Sequence, residues 1–381
     1  MELSDIRMRI DEIDAQLLDL FCARMGLAAD VARAKAGTGK AVFDPARERE
    51  KLASIAERAP EHLRPQAIAL FSLLMSMNKA EQQRILAPAR PERVSELMRR
   101  ALKPHDEPFP AMATVACQGV EGAYSQIAAT RLFRVPSITF FDTFEDVFRA
   151  VCEGRCAFGV VPIENSTAGS VNAVYDLLAA HSCYIVRSLR QKIDHSLLAK
   201  PGTKLGDIHE VCSHEQALAQ CAGYLARLGV RATPCKNTAR AAELVAGSER
   251  RDLAALSSRA CADLYGLDII EPDVQDSDNN YTRFVVISAE PAIWPGAQRT
   301  SLMLTLSHEP GSLFRVLERF YALDINLVKL ESRPIPGRDF EFMFYFDVDC
   351  PVGAEALGTL LDGLGDVCER FTYFGSYTEV L

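Results

Sequence analysis

Residues 158–171 read FGVVPIENSTAGSV. The first part, Phe158 to Pro162, is a short apolar run with the length of a buried strand. The chain then changes character at once. Glu164, Asn165, Ser166, Thr167, Gly169 and Ser170 crowd polar groups onto the strand's end. α/β folds place ligands at such strand ends, and a polar turn with a helix cap at Ser170 would use the same residues. Either way the stretch belongs to an alternation of strands and helices, and residues 113–288 carry that texture throughout.

Two more stretches of this segment stand out. In GVEGAYSQIAA (119–129), Gly119 and Gly122 precede a helix whose first residues include Ser125. Such a loop can present backbone N–H groups to an anion. VQDSDNNYTRFVVI (274–287) ends in a second apolar strand, with Asn279, Asn280, Thr282 and Arg283 at its start. A β-branched Thr suits a strand start, and the two asparagines are open between turn formers and site walls. His195 and His214 sit in polar settings, open between catalytic and structural use.

Further out, residues 1–87 read as helical and 299–381 as strand-helix-strand-strand-helix-strand. Between the first two segments prolines stand at 88, 91, 104, 108 and 110, so 88–112 reads as a linker with one short helix in its middle. AEPAIWPGAQ (289–298) is a second break. A length of 381 residues fits two or three domains. A net charge of −9 argues against nucleic acid as a partner. No apolar run reaches the ~18 residues of a transmembrane helix, and MELSDIRMRIDEIDAQ lacks a signal peptide's apolar core. The expectation is a cytoplasmic protein without a membrane partner. Its 11 cysteines are scattered, and Cys152 and Cys156 have no second pair to complete a zinc site. They read as reduced thiols rather than metal ligands.

In the first segment Ser4 is placed to cap a helix with the apolar stripe Ile6, Ile10, Ile13, Leu17, Leu20 and Phe21. It runs to Ala36, about 50 Å at ~1.5 Å per residue, and a helix that long wants a long partner. Gly37 and Gly39 end it. Asp44-Pro45 is an N-cap with proline at the first helical position. The second helix reaches Arg58, and a third runs from Pro65 to Leu86. Arg24 and Lys35 share a face, whereas Arg7 points roughly 100° away from Arg24. Arg47 and Glu48 lie in the first turn of the second helix, where an Arg opposes the helix dipole unless an anion is near. Asn78 and Gln82 are neighbours on the third helix. By spacing alone these residues also fit a solvated charged face.

The set Arg7, Arg24, Lys35, Asp44-x-x-Arg47-Glu48 and Asn78-x-x-x-Gln82, over residues 3–83, resembles the small all-helical chorismate mutases. The resemblance implies an all-α three-helix chain in a dimeric helical bundle. The long first helices pair, and Arg7 reaches the partner's site. It implies chorismate as substrate, rearranged to prephenate within one molecule, with no nucleophile, cofactor or metal. Arg7, Arg24 and Arg47 would hold the two carboxylates. Lys35 and Gln82 would donate to the ether oxygen as it gains charge. Asp44 and Glu48 would hold a hydroxyl or orient neighbours, and Asn78 joins the set.

In the middle segment GxxGAYS, GVVPIENS-x-x-GSV, NTAxAA (237–242), LYGLDII and TRF occur in order. Together they resemble the prephenate dehydratases over residues 113–288. That family implies an α/β, two-lobed, periplasmic-binding-protein-like fold. Lobe one would take 113–192 and 268–288, lobe two 193–267, with the site in the cleft between them. Prephenate would lose carbon dioxide and hydroxide to leave phenylpyruvate. Thr282 would donate to the departing hydroxyl. Arg283 would bind a carboxylate or anchor its loop. Glu164 and Asn165 would orient the substrate, with Ser166 and Thr167 nearby. Ser213, Gln216 and Gln220 of SHEQALAQC and Asn237 complete the set. Arogenate dehydratase is a close alternative, and a binding-protein-like amino-acid sensor without catalysis a distant one.

The last segment has the ferredoxin-like α+β order and resembles ACT domains of the phenylalanine-regulated kind. In that family PGSLF (310–314) and ESRP (331–334) meet across a domain dimer and hold phenylalanine. The residues implied are Gly311, Ser312, Leu313, Phe314, Glu331, Ser332, Arg333 and Pro334. Together the resemblances imply a bifunctional enzyme of phenylalanine biosynthesis, inhibited by L-phenylalanine. It would be a homodimer through its helical domain, with ACT–ACT pairing building a higher oligomer.

Overall fold

A computed structural model describes residues 2–36, 44–86, 93–335, 341–365 and 367–381. Two compact units divide the chain: a largely helical one of Met1–Arg93 with Asp362–Val367, and an α/β one from Val94 to Leu361 and Cys368 to Leu381. No described helix is long and apolar enough to cross a membrane.

The helical unit comprises α1 (Leu3–Ala36), α2 (Pro45–Arg58) and α3 (Arg64–Leu86), with α3 packed against both others. Asp44 caps α2, its carboxylate accepting the Arg47 N–H at 3.0 Å, and Pro45 follows at the first position. α1 starts at Leu3, so Ser4 lies inside its first turn and does not cap it. Gly37 and Gly39 lie outside the described residues. Ala28 and Ala32 of α1 are fully buried, whereas Ile6, Ile10, Ile13, Leu17 and Leu20 are 40% to 68% exposed. Among the described residues these five positions of the expected stripe are therefore uncovered, and Phe21 is half-buried.

The α/β unit opens with α4 (Val94–Ala101), the short helix among the prolines. Lobe one follows with β1 (Met112–Gln118), α5 (Tyr124–Leu132), β2 (Val135–Phe141), α6 (Phe144–Cys152), β3 (Phe158–Asn165), β4 (Gly169–Ser170), α7 (Asn172–Ala180) and β5 (Tyr184–Lys192). The chain crosses to lobe two: β6 (Ser196–Ala199), β7 (Glu210–His214), α8 (Glu215–Gln220), α9 (Ala222–Leu228), β8 (Arg231–Cys235), α10 (Thr238–Gly247), β9 (Leu253–Ser257), α11 (Arg259–Tyr265) and β10 (Asp268–Glu271). It returns as β11 (Tyr281–Ser288), between β5 and β3. The lobe-two order is β10-β6-β9-β7-β8. The return to lobe one thus falls later than the expected residue 268. β10 pairs antiparallel with β6, and Ile270 packs on the lobe-two core around Leu197 and Leu256.

β12 (Arg299–Thr305), α12 (Ser312–Ala322), β13 (Asn326–Pro334), β14 (Phe342–Asp349), α13 (Glu355–Leu364) and β15 (Arg370–Val380) follow, with strand order β13-β14-β12-β15. β15 outruns this sheet, and Thr378–Val380 pair parallel with Arg187–Leu189 of β5. The small sheet and the lobe-one sheet are therefore continuous. Gly375, at φ +133°, lets β15 pass so close that a Cβ there would lie 2.1 Å from the Ile185 carbonyl oxygen. Met303, Tyr345, Phe374 and Tyr377 share a core with Val147, Val161 and Val285 of lobe one. The two expected breaks are also stitched together. Leu102 bridges Ile293, and Phe109 meets Trp294 edge-on at 4.9 Å.

Candidate active sites

β3 and β11 run antiparallel, with Thr282 opposite Asn165 and Arg283 opposite Glu164. Side chains alternate along a strand, so this register sorts the four residues onto two faces.

On one face the buried Asn165 amide donates to Thr282 Oγ1 and to Asn280 Oδ1, each at 2.9 Å. Its Oδ1 accepts the Thr167 hydroxyl at 2.7 Å and the Ala168 N–H at 2.9 Å. The Thr282 hydroxyl therefore accepts from Asn165 and donates to none of the described residues. The network crosses to lobe two through Gln220 on α8. Gln220 donates to Thr167 Oγ1 at 3.0 Å and accepts from Asn280 Nδ2 at 2.9 Å. His195 Nε2 lies 3.0 Å from the same Gln220 oxygen, while its buried Nδ1 has no partner. An oxygen only accepts, so Nε2 carries the proton. Burial pulls the His195 pKa below its ordinary value, against the opposing pull of the Gln220 hydrogen bond. The ring is thus neutral near pH 7. Ser166 braces the turn, accepting the Tyr281 N–H at 2.9 Å and donating to the Asn279 carbonyl at 2.8 Å.

On the other face Arg283 is 8% exposed and lies 2.5 Å from Asp347 of β14 and 3.5 Å from Glu164. Burial is the largest influence and would lower its pKa, but Asp347, Tyr377, Tyr175 and Glu164 together more than offset it, leaving the guanidinium above its ordinary value. Lys329 of β13 lies 3.2 Å from both Glu164 and Glu331, and Ser170 bonds Lys329 and Glu331. Glu164 does not stand beside Thr282 to orient a substrate, and of the two roles expected for Arg283 the contacts fit the anchoring one; strand alternation turns both to the rear, where they tie lobe one to the C-terminal strands. Ser170 likewise belongs to this cluster and does not cap α7. Asp347 and Lys329 were missed. A charged residue inside the apolar runs FMFYFDVD and NLVKLE is the signal that would have found them, since buried charges need partners.

Other expected residues have structural employment. Ser213 is fully buried and donates to the Leu256 carbonyl at 2.6 Å. Asn237 caps α10, accepting the Arg240 N–H at 2.7 Å, and His214 caps α8. Gln216 is half-buried one turn before Gln220. The glycine loop has no free N–H at either glycine. Gly119 donates to Phe141 O at 2.9 Å and Gly122 to Gln126 Oε1 at 2.5 Å. Gly122 serves close packing instead, since a Cβ there would lie 2.7 Å from the Cys261 sulfur on α11.

In the helical unit Arg24 is half-buried and donates to the Leu74 carbonyl at 2.7 Å. Glu48 pairs with Lys79 at 2.8 Å, and Arg47, exposed, pairs with Glu50 at 2.6 Å. Gln82 is 4% exposed and bonds Asn78 at 2.6 Å, and its other amide atom is buried without a partner. Lys35 is half-buried and Arg7 exposed.

In the C-terminal segment the Ser312 N–H donates to the Glu309 carbonyl at 3.2 Å. Ser312 and Leu313 border a cavity of about 130 Å³ that Arg333 does not line. Arg333 instead makes a two-pronged contact with Asp176 of α7, at 2.7 and 3.2 Å. Glu331 joins the Lys329 cluster, and Gly311, Phe314, Ser332 and Pro334 are exposed.

A two-lobed α/β unit with a Thr-Asn pair on lobe one linked to lobe two through Gln220, preceded by a three-helix unit carrying a cationic stripe, fits a lyase joined to a helical isomerase. Family models agree: residues 115–292 match prephenate dehydratase and residues 6–83 match chorismate mutase type II. The bifunctional chorismate mutase/prephenate dehydratase of Escherichia coli (strain K12) is 32% identical over 382 residues, 98% of this chain and 95% of that protein. The arogenate dehydratase/prephenate dehydratase 2, chloroplastic, of Arabidopsis thaliana is 38% identical over 275 residues, 69% of this chain and 72% of that one. The structure of a prephenate dehydratase in complex with L-Phe from Arthrobacter aurescens aligns with TM-score 0.65 at 27% identity, over 70% of this chain and 89% of that one. The chain belongs to the bifunctional chorismate mutase/prephenate dehydratase family and is an enzyme with both domains.

Proposed function

We propose that Thr282 is the hydrogen-bond donor to the hydroxyl that leaves prephenate. One observation carries this reading: Asn165 occupies an acceptor position on Thr282 Oγ1, whose O–H is directed at none of the described residues. Electrons of the breaking C–CO₂ bond flow into the ring, the C–OH bond breaks, and the departing hydroxide is met by a donor where it forms. Asn165, Thr167, Asn280 and Gln220 hold that geometry, and Gln220 links both lobes around it. In the helical unit Arg24 and Arg47 bind chorismate carboxylates and Lys35 donates to the ether oxygen, with Glu48 and Asp44 as orienters. Rotating the Asn78 and Gln82 amides together keeps their bond and makes the orphaned Gln82 atom an N–H donor, as an ether oxygen gaining charge requires. The exposed face of α1 is covered by α1 of a second copy, which supplies Arg7.

L-phenylalanine is proposed as the effector of the C-terminal β-α-β-β-α-β unit. The L-Phe complex of the Arthrobacter aurescens relative supports this. Pairing of two such units would release Arg333 from Asp176 to meet the amino acid. The Arabidopsis thaliana relative favours a second substrate, arogenate, at the same site. One assay tests the reading. Purified protein given chorismate should release phenylpyruvate, and less of it with L-phenylalanine present. Prephenate and arogenate compared on the same sample separate the two lyase activities. Prephenate that accumulates without phenylpyruvate would overturn the lyase assignment.

A further inference from the structure

Away from the Thr282 cleft, a cavity of about 330 Å³ opens where β5 meets β15, at the small end of the ~300–1,000 Å³ range of ligand pockets. Arg187 of β5, Thr378 of β15, Trp294, Phe109, His105 and the acids Asp106 and Glu107 line it. The Arg187 guanidinium stacks on the Phe109 ring at 4.3 Å, while Glu107 is paired with Lys103 at 3.7 Å. Its Nε and the indole Nε1 of Trp294 are both buried without partners. Burial, unopposed by any carboxylate, lowers the Arg187 pKa. A half-buried cation normally has an anion beside it. This one has instead an aromatic wall and an open cavity. A guanidinium fork suits a carboxylate, and the edge-on Phe109 and Trp294 rings suit a third ring.

We infer that this cavity is a binding site for a small carboxylate bearing an aromatic ring, with Arg187 holding the carboxylate and Phe109 and Trp294 the ring. It is separate from the Thr282 site and from the loops around Ser312 and Arg333. An amino acid would also present an ammonium to Asp106, whereas a simple or keto acid would not.

Trp294 is the only tryptophan in the chain, so it reports on the cavity directly. The full-length protein is titrated with phenylacetate, phenylpyruvate and L-phenylalanine while Trp294 emission is followed. The expected result is a saturable change with phenylacetate, its Kd raised at least tenfold in Arg187→Met. Arg333→Ala, which alters the Ser312–Arg333 region, should leave the phenylacetate Kd unchanged. If Arg187→Met does not fold, Arg187→Lys keeps the charge and loses the fork, and should weaken binding severalfold. The fluorine resonance of 5-fluorotryptophan at position 294 should also shift on adding phenylacetate to the unmutated chain. Tighter binding of L-phenylalanine than of phenylacetate in the Arg333→Ala background would assign the amino-acid source, and the reverse the acid. A wild-type protein with no saturable response to phenylacetate, or equal Kd values with and without Arg187, would overturn the inference and leave Arg187 a structural stacking residue.

Discussion

In the helical unit the residues proposed for chorismate, the buried Gln82 apart, are half-buried or exposed, and the helix that carries Arg24 and Lys35 exposes most of its apolar stripe. In the two-lobed unit Thr282, Asn165, Asn280 and His195 are all buried and bonded to one another or to Gln220. The difference follows the chemistry proposed for each. A rearrangement within one molecule needs shape and fixed charge, which two copies can assemble from facing surfaces. Expulsion of hydroxide needs a donor held in a water-poor place, which one chain must wire internally.

The sharpest way to break this comparison is Thr282→Ala. It should lower dehydratase kcat by about 10²–10⁴-fold, the usual worth of a positioned proton donor, and leave mutase turnover unchanged. Thr282→Ser should recover part of the loss. Parallel measurements of prephenate formation and phenylpyruvate release check this, and equal loss of both would end the notion of separate sites.

Next comes the rear of the same strands. Asp347→Asn leaves Arg283 buried with Glu164, at 3.5 Å, as its remaining acid. Breaking a buried pair by removing one partner costs about 3–5 kcal/mol, so thermal unfolding of the α/β unit should fall by many degrees. The double variant Arg283→Met/Asp347→Leu should regain most of it, because no unpaired charge remains. A Tm unchanged in Asp347→Asn would mean the pair contributes nothing.

That rear cluster also marks where sequence reading stopped. The three textures, the long first helix, the α2 cap at Asp44 and the gathering of Thr282 and Asn165 in one site were legible, because each rests on local pattern or on a motif. Glu164 was misplaced, and Arg283 left between two roles, because a motif lists neighbours in sequence, and a strand sends neighbours to opposite faces. The Gly119–Gly122 loop misled for a related reason. Glycines permit the turn, yet who takes their N–H groups is decided by Phe141 and Gln126. The fusion of two sheets through β15 could not be foreseen, since it depends on Thr378 reaching Arg187 after a bend at Gly375.

On the open side of the comparison, Arg24→Ala removes a charge-assisted contact worth about 1.5–3 kcal/mol, a loss of roughly 10–150-fold in mutase kcat/KM with dehydratase activity intact. Replacing Leu17 by Glu on the exposed stripe should give the same pattern for a different reason. Sedimentation should find the protein more dissociated, and mutase activity should then depend on protein concentration. Dehydratase activity that fell in step would show that the closed site, too, needs a second copy.

The smallest effect probes how closed the dehydratase site is. His195 has its pKa lowered chiefly by burial, from an unfolded value near 6.5. Between the folded value and about 6.5 the unfolded chain binds a proton that the folded chain does not, so unfolding is favoured as pH falls through that window. The contribution is fully present above about pH 6.5 and is lost on acidification, by at most about 1.4 kcal/mol per pH unit for one group. His195→Gln keeps a neutral donor toward Gln220 and cannot titrate. Unfolding midpoints measured from pH 7.5 to 5.5 should therefore fall more steeply for the unmutated protein than for the variant. Parallel slopes would mean that water reaches the ring and that the desolvated, internally wired site contrasted above with the helical one is open at its His195 end.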